Sequence, residues 1–130
     1  MIGLDTGALI DLLRQNSALK KVIEDTEESL ASTIINYQEL MFGLDFDNPN
    51  HVEEEKTYSA LFQNVHLLPF TLLAAKNASI LFRALQKKGM DIGRFDSMIA
   101  GIFLEQGVTK IITRNTKHFQ RMKEIEVLSY

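Results

Sequence analysis

Five short apolar runs, spaced along the chain with helix-patterned segments between them, limit the possible folds more than any other feature. They are Ile2-Gly3-Leu4, Leu30-Ala31-Ser32-Thr33-Ile34-Ile35, Val65-His66-Leu67-Leu68-Pro69, Lys110-Ile111-Ile112-Thr113 and Val127-Leu128-Ser129. Runs this short and apolar read as buried strands. Strands that alternate with helices point to an α/β fold, a three-layer α/β/α sandwich with a mainly parallel central sheet and helices on both faces. At 130 residues, with no repeat or linker, the chain reads as one domain spanning residues 1–130.

The first run ends abruptly in an acid and a hydroxyl, Asp5-Thr6. Gly7 and the helix-patterned Ala8–Arg14 follow directly. A buried strand would then deliver a carboxylate to its C-terminal end, the edge where open α/β sheets bind ligands. Two roles stay open for Asp5 at this point, helix cap and metal ligand.

Three later segments carry comparable groups. The second run leads into a helix on which Ile35, Glu39 and Phe42 share a face by their spacing, so that Glu39 lies in an apolar stripe. A carboxylate there is costly unless it is paired, metal-bound or able to reach solvent. Asp96 falls in the first turn of a helix whose middle, Met98–Leu104, is apolar on nearly every side. A helix N-terminus favours a carboxylate, so a simple capping role is open for Asp96 as well. Asn115 follows the fourth run. In a parallel sheet, Asp5 and Asn115 share one edge, and Glu39 and Asp96 sit on helices entered from it. Converging oxygen ligands suit a hard divalent cation, Mg²⁺ or Mn²⁺.

The remaining helices are expected as follows. Asn16-Ser17 caps a helix with Leu19, Val22 and Ile23 on its core face, and Glu24, Asp25, Glu27 and Glu28 after it form a solvated acidic turn. Asn50-His51-Val52-Glu53 forms a capping box for a helix running to about Asn64. Thr71 caps a long helix with Leu72, Ala75, Ile80, Leu81 and Leu85 near the core, ending at Lys87-Lys88-Gly89.

Other chemistries are excluded or weak. There is no cysteine, which removes disulfides, thiolate metal sites and a Cys nucleophile. The three histidines are scattered, and no Gly-x-Ser-x-Gly elbow or Gly-rich phosphate loop is present. A net charge of -3 argues against binding nucleic acid by bulk positive charge. It leaves open an enzyme whose bound cations neutralise an acidic site. The longest strongly apolar run, Met98–Leu104, is far too short to span a bilayer. With no signal-peptide pattern, a cytoplasmic location away from membranes is expected.

Four pieces in order resemble the PIN-domain ribonucleases, with the nearest likeness to VapC-type toxins of prokaryotic toxin–antitoxin pairs. They are Leu4-Asp5-Thr6, then Ser32-Thr33 leading to Glu39-Leu40 and Phe42-Gly43, then Phe95–Ala100, then Ile112–Phe119. The resemblance implies a metal-dependent endoribonuclease in which Asp5, Glu39 and Asp96 hold Mg²⁺ or Mn²⁺. It assigns Thr6 and Thr113 as hydroxyls that orient ligands or water, Thr6 beside Asp5. Arg94, Arg114, Lys117, His118 and Arg121 are the candidate RNA contacts. It further implies a homodimer and a cognate antitoxin. Many family members carry a fourth aspartate where this chain has Asn115, which offers an oxygen without charge and leaves the number of metal ions open. A catalytically silent PIN-fold module that binds RNA or protein is the second reading. A phosphotransfer domain with Asp5 as nucleophile is the third, and it lacks the second aspartate its pattern needs where Gly7 stands.

Overall fold

The computed structural model describes residues 1–130. Its five strands are β1 (Ile2–Leu4), β2 (Leu30–Thr33), β3 (His66–Leu68), β4 (Lys110–Ile112) and β5 (Glu126–Leu128). They form one sheet in the order β3-β2-β1-β4-β5, and all four pairings are parallel. Register is set by pairs such as Ile2 with Leu30, Gly3 with Ile111, and Leu4 with Ile112. The chain starts at the centre of the sheet, builds outward through β2 and β3, then crosses back to add β4 and β5 on the other side. The order of strands therefore reverses between β1 and β4, which opens a crevice beyond their carboxyl ends.

Seven helices cover the two faces: α1 (Thr6–Leu13), α2 (Ser17–Thr26), α3 (Ile34–Phe42), α4 (Pro49–Leu61), α5 (Leu72–Lys87), α6 (Arg94–Glu105) and α7 (Thr116–Phe119). Strand side chains alternate between faces. Ile2, Leu4 and Ile112 point into one core with Leu9 of α1, Leu19 of α2, Leu40 of α3 and Tyr58 of α4. Ala31 and Ile111 point into the other, with Ala74 and Leu85 of α5, Ile99 and Phe103 of α6, and Phe119 of α7. The sandwich thus has α1–α4 on one side and α5–α7 on the other. No helix is long and apolar enough to cross a membrane.

Several local expectations shift. The second strand stops at Thr33, because the Thr33 hydroxyl accepts from the Asn36 N–H while the Asn36 side chain accepts from the Thr33 N–H. That reciprocal cap turns Ile34 and Ile35 into the first residues of α3. Helix α4 starts earlier than the Asn50 capping box, because Asn48 caps it and Pro49 occupies its first position, where a missing N–H does no harm. Helix α2 extends over Glu24 and Asp25, and Glu28 is no free surface acid: it pairs with the Met1 ammonium at 3.3 Å and Lys110 at 2.8 Å. Thr71 caps α5 as expected, yet the buried face is Ala74, Ala78 and Leu85, while Leu72 and Ile80 face outward.

The α5 register follows from close packing against α6. A Cβ on Gly101 would stand 2.7 Å from the Ala74 carbonyl oxygen and 2.8 Å from the Ala78 Cβ. Small residues on both helices allow that approach, and bulky Leu72 and Ile80 are excluded from it. On the sheet side of α6, a Cβ on Gly3 would lie 2.7 Å from the Phe103 ring. Gly101→Ala sets a helix-propensity gain of about 1 kcal/mol against overpacking of about 1–3 kcal/mol. A backbone oxygen cannot swing aside, so overpacking prevails. Gly101→Ala is expected to lower the urea midpoint, and a midpoint at or above the parent's would contradict this packing.

Candidate active site

The crevice between β1 and β4 is lined by Asp5, Thr6, Gly7, Asn36, Glu39, Asp96, Ile99, Arg114 and Asn115, around a volume of about 280 Å³. Asp5, Glu39, Asp96 and Asn115, separated by up to 110 positions in sequence, thus face one space. Larger hollows lie elsewhere, but the chemistry is here.

Asp5 comes directly off β1 and does two things at once. Its Oδ1 accepts from the Ala8 N–H at 2.8 Å, capping α1, and its Oδ2 accepts from the Thr113 hydroxyl just past β4. Capping and lining the crevice are therefore not alternatives for this residue. Thr113 is fully buried and its oxygen also accepts from the Asn115 N–H at 2.9 Å, which fixes the chain leaving β4.

Glu39 is only half-buried and Phe42 is exposed, so the apolar stripe expected around it does not exist. What holds it is Thr6, whose hydroxyl donates to Glu39 Oε1 at 2.8 Å. Thr6 accordingly serves Glu39, and Thr113 serves Asp5. The buried Asn36 was missed from sequence and completes the relay: its Nδ2 donates to Thr6 Oγ1 at 3.1 Å, and its Oδ1 accepts from the Thr33 hydroxyl at 2.7 Å. The signal was present in the Thr33-Ile34-Ile35-Asn36 spacing and in the placement of Asn36 one turn before Glu39.

Asp96 lies in the first turn of α6 but does not cap it. Gly93 is the N-cap position and makes no side-chain cap bond. The Asp96 Oδ2 pairs instead with His118 Nδ1, and His118 also faces the Asn115 amide at 3.5 Å. His118 therefore sits beside an acid of the crevice. Among the other cations, Arg114 lines the crevice, Arg94 lines a separate hollow against α5, and Arg121 donates to the Asp91 carbonyl at 2.8 Å. Lys117 is exposed on α7.

Electrostatically the crevice is under tension. Burial pushes the Asp5 carboxyl above its ordinary range, against the Thr113 and Ala8 hydrogen bonds that favour its charge, and the charge of Asp96 pushes it further. Burial likewise raises Glu39, with Asp96 and Asp5 adding to the effect and Thr6 opposing it. Such a site gains from a cation. The donor set is all oxygen, carboxylates with one amide nearby, and it suits Mg²⁺ or Mn²⁺. No three His, Asp or Glu side chains close into a cage at ligand spacing. An open set is compatible with Mg²⁺, which keeps several waters and takes few carboxylates.

A raised folded-state pKa means the fold holds the proton more tightly than the unfolded chain does. Ionised Asp5 therefore opposes folding at neutral pH, and this opposition fades as pH falls through its folded pKa towards the unfolded value. Asn at this position keeps an oxygen for the Ala8 N–H. Without divalent ions, Asp5→Asn is expected to melt at a higher temperature than the parent at pH 7, with the gap narrowing towards pH 4. Calorimetric scans in chelator test this, and a variant less stable at pH 7 would contradict it.

A family model described as PIN domain matches residues 2–125. No curated protein matches the chain at a significant level. Among solved structures, VapBC-1 from nontypeable Haemophilus influenzae is similar at 26% identity and a TM-score of 0.81, covering 99% of this chain and 98% of that one. VapBC2 from Rickettsia felis, bound to a DNA fragment from its promoter, has 19% identity and a TM-score of 0.85, covering 100% and 99%. DNA-bound VapBC from Salmonella typhimurium has 20% identity and a TM-score of 0.84, covering 98% and 96%.

Proposed function

Since the chain belongs to the PIN domain family, we propose that it is a divalent-metal-dependent endoribonuclease that hydrolyses RNA phosphodiester bonds. In this reading it is the toxin of a toxin–antitoxin pair, restrained by a cognate antitoxin and acting as a homodimer in the cytoplasm. The observation that carries the reading is the gathering of Asp5, Glu39 and Asp96 from three separate elements around one open crevice, with Asp5 and Glu39 burdened by burial. The likeness to VapBC structures along nearly the whole chain supports the toxin–antitoxin part.

Asp5, Glu39 and Asp96 would hold Mg²⁺ or Mn²⁺. A divalent ion there supplies Lewis-acid polarisation of a phosphate oxygen and a lowered pKa for a bound water. The chain's own residues supply aim. Thr113 and the Ala8 N–H fix both oxygens of Asp5, and Asn36 through Thr6 fixes one oxygen of Glu39. Each of those carboxylates is thereby oriented before any ligand arrives, the preorganisation that catalysis at a charged centre needs. His118 holds Asp96 at the edge of the crevice, beside the Asn115 amide. Arg114 is the cation placed to meet a phosphate, with Lys117 further out and Arg94 and Arg121 serving RNA only if it extends beyond the crevice.

The uncharged Asn115 favours one alternative, a silent PIN-fold module that binds RNA or protein without cutting. Titration calorimetry with millimolar Mg²⁺ or Mn²⁺ separates the two, because the silent module takes up no divalent ion.

Purified protein with Mg²⁺ or Mn²⁺ is expected to cleave single-stranded RNA. Asp5→Asn and Asp96→Asn are expected to lower the rate by about a hundredfold or more while remaining folded. Thr6→Val, which frees Glu39, costs about 0.5–1.5 kcal/mol, a reaction roughly two- to thirteenfold slower. Variants that cleave as fast as the parent, after contaminating nucleases are excluded, would end this assignment.

A further inference from the structure

We infer that Asp11 and Tyr130 are positioning residues that hold Arg114 at the mouth of the crevice, ready to take a phosphate of the RNA. The inference rests on the ribonuclease reading and extends it to two residues outside the crevice.

Asp11 is a buried acid on α1, with its side chain 6% exposed. A buried carboxylate is costly unless its oxygens are satisfied. Two donors converge on its Oδ2: the Tyr130 hydroxyl at 2.7 Å and Arg114 Nη2 at 2.7 Å. The Arg114 guanidinium also lies over the Tyr130 ring, 5.8 Å from its centroid, within reach of a cation–π contact. The group is therefore gripped at one edge and along one face. The Arg114 side chain is nevertheless 60% exposed, and it lines the crevice with Asp5, Glu39 and Asp96.

That combination differs from a surface arginine. A guanidinium has five N–H donors in a fixed plane. Here one points inward to Asp11, and the planar fork leaves others free to face a ligand. An arginine ordered beforehand loses little freedom when phosphate binds. Asp11 also offsets part of the Arg114 charge, so the cation can stand beside the acids without neutralising them as a direct partner would.

The test uses the full chain and a fluorescent single-stranded RNA with Mg²⁺ or Mn²⁺, together with ¹⁵N spectra of the arginine side chains. Tyr130→Phe removes one hydroxyl and keeps the ring. It is expected to lower kcat/KM about threefold, and Arg114→Ala about tenfold or more. In the Arg114→Ala background, Tyr130→Phe should cause no further loss. The Arg114 guanidinium signals should be separately resolved in the parent and merge in Asp11→Asn, as restricted rotation is released. Equal losses from Tyr130→Phe in both backgrounds, or an Arg114 guanidinium rotating freely in the parent, would overturn the inference. If Asp11→Asn fails to fold, the parent spectrum and the effect of Tyr130→Phe in the two backgrounds still decide the inference. A parent that does not cleave RNA brings down the ribonuclease reading and the phosphate role of Arg114 with it, whereas a parent that cleaves while Arg114→Ala matches it brings down this inference alone.

Discussion

Both oxygens of the Asp5 carboxylate are engaged by backbone or hydroxyl donors from other elements, and the centre of the molecule is organised through that one group. Oδ1 accepts from the Ala8 N–H in the first turn of α1, and Oδ2 accepts from the Thr113 hydroxyl at the end of β4. The central strand, the first helix and the strand across the reversal of order are thereby tied at a single point. Those bonds favour the ionised form, burial disfavours it, and burial prevails. The structure therefore keeps a charge where the fold alone would be better without one. Proteins commonly carry such a conflict at sites where chemistry rather than stability decided the residue.

Around this point the hydroxyl and amide residues form two short relays that do not overlap. Thr33, Asn36 and Thr6 end on Glu39, and Asn115 and Thr113 end on Asp5. Asp96 is held by a histidine instead. No buried side-chain nitrogen or oxygen in the chain is left without a partner. Buried Thr33, Asn36 and Thr113 thus support acids of the crevice, whereas buried Ser32 and Ser97 donate to backbone carbonyls.

Much of this was legible beforehand because the signals were local. The period of the apolar runs predicted the parallel sandwich, and a strand ending in an acid predicted where Asp5 would stand. The four crevice residues Asp5, Glu39, Asp96 and Asn115 do come together. What failed depended on distant partners. Phe42 turned outward because helix spacing names a face without saying what covers it. The α5 face could not be chosen between its leucines and its alanines until Gly101 showed how near α6 comes. Asp11 carried no local signal of its role, since its two partners lie more than a hundred positions away. The pairing of Thr6 with Glu39 rather than with neighbouring Asp5 was hidden for the same reason.

Helix α6 is pinched between glycines on opposite sides, Gly101 of its own against α5 and Gly3 of the central strand beneath Phe103. Asp96 stands in the first turn of that helix, so its distance from Asp5 depends on how closely α6 approaches α5 on one side and the sheet on the other. Substitutions at Gly3 or Gly101 would then act on the crevice as a change of gauge. A screen for inactive variants would return these glycines beside the acids, and their appearance there would report spacing between layers rather than a part in the chemistry.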